Sequence, residues 1–124
     1  MTLKLSNIHF VLLAAGESTR FKAKENKLLS KLKDKTILEH NIDLLKKIGF
    51  KKITLVIRNN SLLKNINITK VELIKGGKTR TLSVKNALIK SKIKAKYVFI
   101  HDAARIINSE KLLKRLIKET KKEI

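Results

Sequence analysis

The chain has no cysteine and no proline, and only 4 of its 124 residues are glycine. Without cysteine there can be neither disulfides nor thiolate metal sites. Gly16 has no second glycine at the spacing of a G-x-G-x-x-G dinucleotide fingerprint or of a G-x-x-x-x-G-K-[ST] P-loop, which disfavours a dinucleotide oxidoreductase and a P-loop ATPase. Aromatic residues make up 4% of the chain, too few for a platform on which bases stack. No apolar run reaches the length of a membrane span. The first residues lack the charged start, apolar stretch and small-residue cleavage site of a secretory signal. A cytoplasmic protein is expected, with no membrane partner.

Acidic residues are scarce as well. Against 30 Lys and Arg stand 10 Asp and Glu, a formal net charge of +20. Such an excess invites a nucleic-acid reading, since lysines that neutralise phosphates gain from counterion release. Two features oppose it. Only 5 of the basic residues are Arg, the usual reader of base edges and bidentate phosphates. The lysines are also scattered over every predicted element. A non-catalytic basic module that binds nucleic acid or another polyanion is therefore the competing reading from another class. Diffuse attraction to polyanions accompanies this charge in any case.

What the chain does have is apolar residues in the right places. They make up 43% of it, enough to fill the core of one domain over residues 1–124. Ile8 to Leu13 reads as a buried parallel strand. Residues 28–35 read as irregular, with Leu28, Leu29 and Leu32 packing down. Thr36-Ile37-Leu38-Glu39 has the T-x-x-E form of a capping box and opens a helix that buries Ile37, Leu38, Ile42, Leu45 and Ile48. Lys46 and Lys47 suit the negative end of its dipole, and Gly49 suits the residue just beyond it. Ile53 to Ile57 is a second buried strand, and a short helix is plausible within 59–67. Val71 to Ile74 forms a third strand. A helix from about Arg80 to Ser91 turns Val84, Ala87 and Leu88 inward, and Tyr97 to Ile100 forms the fourth strand. Ser109 caps a last helix with Leu112, Leu113, Leu116 and Ile117 toward the core. Strands alternating with helices imply a parallel sheet covered on both faces, with ligands beyond the carboxyl ends of the strands.

Three loops open on that edge. After the first strand come Ala14, Ala15 and Gly16, small enough for a ligand to approach the backbone, whose N–H groups can cradle phosphate oxygens. Arg20 and Lys27 then bring a planar fork and a point charge to the same mouth. Together they imply anionic chemistry, a nucleotide's phosphates foremost. The third-strand loop reads Gly76-Gly77-Lys78-Thr79-Arg80-Thr81-Leu82-Ser83-Val84, and the fourth reads His101-Asp102-Ala103-Ala104-Arg105. Plainer roles stand beside these: Arg80 could cover the first turn of its helix, Ser83 could be a small packing residue, and Asp102 could cap a turn. His101 reads as a supporting hydrogen-bonder, and His9 and His40 as structural.

In this order, and together with Leu13-Ala14-Ala15-Gly16 and the Arg20-to-Lys27 spacing, these loops resemble the 2-C-methyl-D-erythritol 4-phosphate cytidylyltransferase family of isoprenoid precursor synthesis. The first loop is shared with many nucleotidyltransferases, and the other two together are much more specific. The resemblance implies a Rossmann-like three-layer αβα nucleotidyltransferase fold with a mainly parallel sheet. It further implies that residues 1–124 are the N-terminal nucleotide-binding portion, truncated after the fourth strand-helix unit and weakly active at best.

The activity implied is transfer of a cytidylyl group from CTP to 2-C-methyl-D-erythritol 4-phosphate, with release of pyrophosphate and with Mg²⁺ or another divalent cation. By the family pattern Arg20 and Lys27 are catalytic. Ala14, Ala15 and Gly16 line the nucleotide through their backbones, and Gly77 and Ser83 sit against the cytosine. Asp102 holds the metal, while Arg80, Ala103 and Arg105 belong to the nucleotide side. A cytidylyltransferase for another polyol phosphate, such as ribitol 5-phosphate, is the near alternative. The chain departs from the pattern at Ser18, where a glycine is common, at Asn26 and Ile106, where proline is common, and at Lys78, where an acidic residue is common. The Glu17-to-Phe21 wording is similar to the bifunctional enzymes fused to methylerythritol cyclodiphosphate synthase. A homodimer is implied for the longer family enzyme.

Overall fold

The computed structural model describes residues 5–14, 31–58, 63, 66, 68–105 and 107. A 3-10 turn at Leu5–Asn7 leads into β1 (Ile8–Leu13). Next come β2 (Lys31–Leu32), β3 (Lys35–Thr36), α1 (Ile37–Ile48), β4 (Ile53–Ile57), β5 (Glu72–Lys75), α2 (Arg80–Lys90) and β6 (Tyr97–Asp102). The main sheet has four strands in the order β5-β4-β1-β6, every pair parallel. β1 and β4 are buried at every position, whereas β5 and β6 alternate, as interior and edge strands of a covered parallel sheet should.

Side-chain alternation sorts the helices onto opposite faces. Ile8, Phe10 and Leu12 of β1 join Leu38, Ile42 and Leu45 of α1 in one core, and Phe10 meets the Phe50 ring edge-on at 5.2 Å. Val11 and Leu13 point the other way and pack with Val56, Val84 and Ala87, the latter two from α2. The chain moves from β1 outward to β4 and β5, then returns past β4 and β1 to β6. Crossovers of one hand that run in opposite directions have to lie on opposite faces, which is the arrangement found.

α1 begins as its sequence prescribes. Thr36 Oγ1 accepts the Glu39 N–H at 3.1 Å while Glu39 Oε1 accepts the Thr36 N–H at 3.2 Å. It ends at Gly49, whose φ of 118° lies in the left-handed region that glycine enters without strain. Asn41 takes a fully buried place on the core face, and Ile37 and Ile48 are only partly covered.

Four expectations need correction. Residues 31–36 form a two-stranded hairpin, with Lys33 and Asp34 both at positive φ, the requirement of a type I′ turn. Without glycine in that turn, the sequence signal was missing. The third strand is Glu72–Lys75, one residue later than expected, and the fourth runs on to Asp102. On α2 the buried positions are Ser83 and Ala87, whereas Leu88 is 52% exposed. The small side chains let the helix come close to the sheet, and the larger ones are turned off the contact. The expected helix after Ser109, the packing of Leu28, Leu29 and Leu32, and most of residues 59–67 lie outside the described residues.

A polar ladder crosses the α2 face of the sheet. His9 of β1 lies 2.6 Å from Thr54 Oγ1 of β4, and that hydroxyl donates to Glu72 Oε1 of β5 at 2.7 Å. A carboxylate only accepts, so the one hydroxyl proton goes to Glu72 and His9 Nε2 must carry its own. Burial, helped by Lys52, holds the His9 pKa below its ordinary value of 6.5 against the opposing pull of Glu72. Burial alone would raise the Glu72 pKa, but hydrogen bonds from Ser91, Lys92 and Thr54 outweigh it and hold the carboxyl below its ordinary 4.5.

Both shifts have the same sign of consequence. A depressed folded pKa means that the unfolded chain protonates first, so stability falls as pH drops below about 6.5 for His9 and below about 4.5 for Glu72. The urea midpoint should therefore decline in acid, and His9→Gln should flatten the decline between pH values of about 6.5 and 5. Thr36→Ala removes the cap of α1 and should lower unfolding free energy by about 1 kcal/mol in the same titration.

Candidate active site

The strand order reverses between β1 and β6, and a doubly wound sheet opens its crevice at such a point. Leu13 and Asp102 are register partners across it. The Ala103 N–H donates to Leu13 O at 2.9 Å and the Ala14 N–H to Val56 O at 2.7 Å. Ala14 and Ala103 are buried, and their small side chains leave the strand ends low. The chain then passes into residues 15–30, so Ala15, Gly16, Arg20 and Lys27 lie outside the described residues.

The segment after β6 is tightly held. Asp102 Oδ1 accepts the Ala104 N–H at 3.0 Å, and Asp102 O accepts the Arg105 N–H at 3.1 Å. His101 Nε2 lies 2.8 Å from Arg105 O. A carbonyl only accepts, so that nitrogen carries the proton and His101 braces the turn, as expected for a supporting residue. Asn41 reaches in from α1. Its Nδ2 donates to Ala103 O at 3.2 Å and to Arg105 O at 2.9 Å, and its Oδ1 accepts the Ile107 N–H at 2.8 Å. The sequence reading missed this residue. Its signal was an amide in the apolar series Leu38, Ile42 and Leu45, on the face that enters the core.

The entrance to α2 is bracketed in another way. Gly76 continues the β5 ladder by donating to Ile57 O at 2.8 Å. The Gly77 N–H donates to Ser83 Oγ at 3.1 Å, and that hydroxyl donates back to Gly77 O at 3.4 Å. A Cβ on Gly77 would lie 2.4 Å from Leu82 Cβ, so only glycine fits. Thr79 caps the helix by accepting the Leu82 N–H at 3.1 Å. Ser83 is fully buried, and its hydroxyl is engaged with the glycine loop. That engagement holds the glycine loop in shape. Lys78 is exposed beside it.

Between the start of α2 and the end of β6 lies a half-open cavity of about 440 Å³ lined by Arg80, Ile100, His101, Asp102 and Arg105. Of the predicted residues Arg80, Asp102 and Arg105 line it, whereas Ala14, Ala103, Gly77 and Ser83 do not. Two guanidinium forks suit phosphate oxygens, and a carboxylate beside them suits a cation that accompanies those phosphates. Among the described residues no cluster of three or more His, Asp or Glu could cage a metal alone. A single carboxylate fits Mg²⁺, which takes one or two carboxylates and completes its shell with water and substrate phosphates. A second cavity of about 440 Å³, beside the amino ends of β4 and β5, is lined by Lys46, Lys51 and Lys70 with Gly49 and Phe50 and has no carboxylate.

The sequence pattern of the 2-C-methyl-D-erythritol 4-phosphate cytidylyltransferase family, IspD, matches residues 8–124. The bifunctional enzyme IspD/IspF of Pelagibacter ubique is 43% identical over 119 residues, covering 93% of this chain and 32% of the relative. The 2-C-methyl-D-erythritol 4-phosphate cytidylyltransferase of Dictyoglomus thermophilum is 40% identical over 116 residues, covering 87% of this chain and 49% of its own. Among solved structures, the bifunctional IspDF of Campylobacter jejuni superposes with a TM-score of 0.76 at 33% identity, covering 94% of this chain and 31% of that one. The IspD of Francisella tularensis gives a TM-score of 0.66 at 35% identity, covering 93% and 52%. The chain spans from about a third to about half of the length of these relatives.

Asn41→Ala would leave two carbonyls and one N–H of the segment after β6 without their partner. Unfolding free energy should fall by about 2–4 kcal/mol, and the Ile107 amide should exchange its hydrogen faster than in the parent chain.

Proposed function

This chain belongs to the 2-C-methyl-D-erythritol 4-phosphate cytidylyltransferase family, and on that premise we propose that it forms the nucleotide half of an enzyme that cytidylylates 2-C-methyl-D-erythritol 4-phosphate. A phosphate oxygen of the acceptor attacks the α-phosphorus of CTP. The bond from that phosphorus to the oxygen bridging to the β-phosphate breaks, and pyrophosphate leaves. The observation that carries the reading is the meeting of Arg80, Asp102 and Arg105 in one cavity at the β1–β6 switch point. Phosphoryl chemistry of this kind depends on positioning and on neutralising charge as it spreads over the phosphate oxygens.

The roles follow from charge and reach. Arg20 and Lys27 neutralise the α-phosphate and the departing pyrophosphate. Ala15 and Gly16 offer backbone N–H groups at the mouth of β1, and Ala14, whose own N–H is taken by Val56 O, lines that mouth with a small side chain. Gly77 lets the base approach its loop closely, and Ser83 fixes the shape of that loop. Arg80 and Arg105 orient phosphates, and Ala103 belongs to the same nucleotide side. Asp102 would hold Mg²⁺, which supplies charge neutralisation when bound. A cytoplasmic setting fits a pathway that uses soluble nucleotides, and no helix among the described residues is long and apolar enough to cross a membrane. The longer enzyme works as a homodimer.

Calorimetric titration of the chain with CTP and Mg²⁺ should give saturable binding that Asp102→Asn weakens. In a protein that includes the acceptor region, Arg20→Ala and Lys27→Ala should each cut transfer about 100- to 1000-fold while leaving the circular dichroism unchanged. A chain that bound any polyanion equally, lost affinity steeply with salt and ignored both substitutions would be a basic binding module, and the proposal would fall.

A further inference from the structure

The polar ladder across the sheet touches no residue of the cavity, yet its far end grips the helix that carries Arg80. Glu72 Oε1 accepts from Ser91 Oγ at 2.5 Å and Glu72 Oε2 from the Lys92 N–H at 2.9 Å, while Thr54, braced by His9, holds Oε1 from the other side. Ser91 is the C-cap of α2, so the carboxylate is fastened to the helix where its last turn ends. That is an unfavourable place for a negative charge, because the C-terminal end of the helix dipole is itself negative. Packing alone restrains this helix weakly. Only Ser83 and Ala87 are buried along it, and Leu82, Leu88 and Ile89 are exposed.

At its other end α2 is held by the Gly77–Ser83 bracket and by Asn86 Nδ2, which donates to Lys75 O at 3.2 Å. Both of those contacts lie on its first two turns. A rod of 11 residues, about 16 Å long, that is bonded over its first two turns and rests on the sheet through Val84 and Ala87 can still pivot about that contact, and the grip of Glu72 just beyond its last turn removes that freedom. We propose that Glu72 is a positioning residue for the nucleotide cleft. By clamping Ser91 and Lys92 to the sheet it sets the tilt of α2, and with it the direction in which Arg80 enters the cavity beside Asp102 and Arg105. Thr54 and His9 serve the same end by aiming the carboxylate. The inference rests on the nucleotide reading of that cavity for its consequence in binding, and on geometry alone for the tilt.

The two can be separated in solution. Glu72→Ala should shift the backbone amide resonances of Gly77, Arg80 and Asp102, far from the substitution, and weaken binding of CTP with Mg²⁺ about five- to tenfold. Glu72→Gln keeps a carbonyl acceptor and should restore part of both. Thr36→Ala, which weakens α1 at its cap, should leave affinity and those resonances as in the parent chain and so controls for lost stability. If Glu72→Ala melts earlier but leaves the Arg80 resonance and CTP affinity untouched, the role is merely structural and the proposal is wrong. Should that variant fail to fold, Glu72→Gln and Thr54→Val carry the same comparison. If the parent chain takes up no CTP, the nucleotide reading fails, and the resonances alone decide whether Glu72 sets the tilt.

Discussion

The pairing of β6 onto the edge of β1 that β4 leaves open is the contact on which the rest depends. Until that point the chain builds outward from β1 to β4 to β5. By returning to the other side of β1, β6 turns a one-way sheet into a doubly wound one and creates an opening between two carboxyl ends. Leu13 and Asp102 become neighbours because they are register partners in that pair. The same return forces α2 onto the face opposite α1, which swings the start of α2 and its Arg80 toward the end of β6.

Rigidity is unevenly distributed around this opening. β1 and β4 are buried throughout, and the segment after β6 is pinned by Asn41 from one helix and by the Asp102 and His101 side chains from within. The α2 side relies more on polar contacts: the Gly77–Ser83 bracket near the site and the Glu72 clamp at the far end. Hydrogen bonds of this kind cost little when satisfied and a great deal when a buried partner is removed, so they hold a helix in one pose without a large apolar footprint. The division suits a nucleotide cleft, with a fixed floor of strand ends and a wall whose pose is set by direction-specific bonds.

Of the four departures of this chain from its family pattern, one falls among the described residues. Lys78, where an acidic residue is common, is exposed at the glycine loop and carries no packing. Ser18, Asn26 and Ile106 lie outside the described residues. The chain carries a net charge of +20, and among the described residues its lysines and arginines are mostly exposed, where screening limits their reach to about 10 Å at moderate salt.

Local features were legible in the sequence because they depend on near neighbours. The Thr36–Glu39 box, Gly49 beyond α1, the apolar runs of β1 and β4 and the loop motifs after β1, β5 and β6 announce themselves within a few residues, and β1, α1, β4, β5, α2 and β6 stand where they were expected, to within a residue or two at the ends. What tertiary structure alone decided involves partners far apart in the chain. Asn41 finds Ala103 and Arg105, His9 finds Thr54 and then Glu72, and Ser83 closes on Gly77. A buried amide, hydroxyl or imidazole must be satisfied by whatever the fold brings beside it, and a short sequence window cannot say what that will be. The glycine-free turn at Lys33 and Asp34 and the outward Leu88 have the same origin, since strand pairing and close helix–sheet contact override local preference. Residue order thus determined the elements and the chemistry of the loops, and packing decided which distant groups hold them in register.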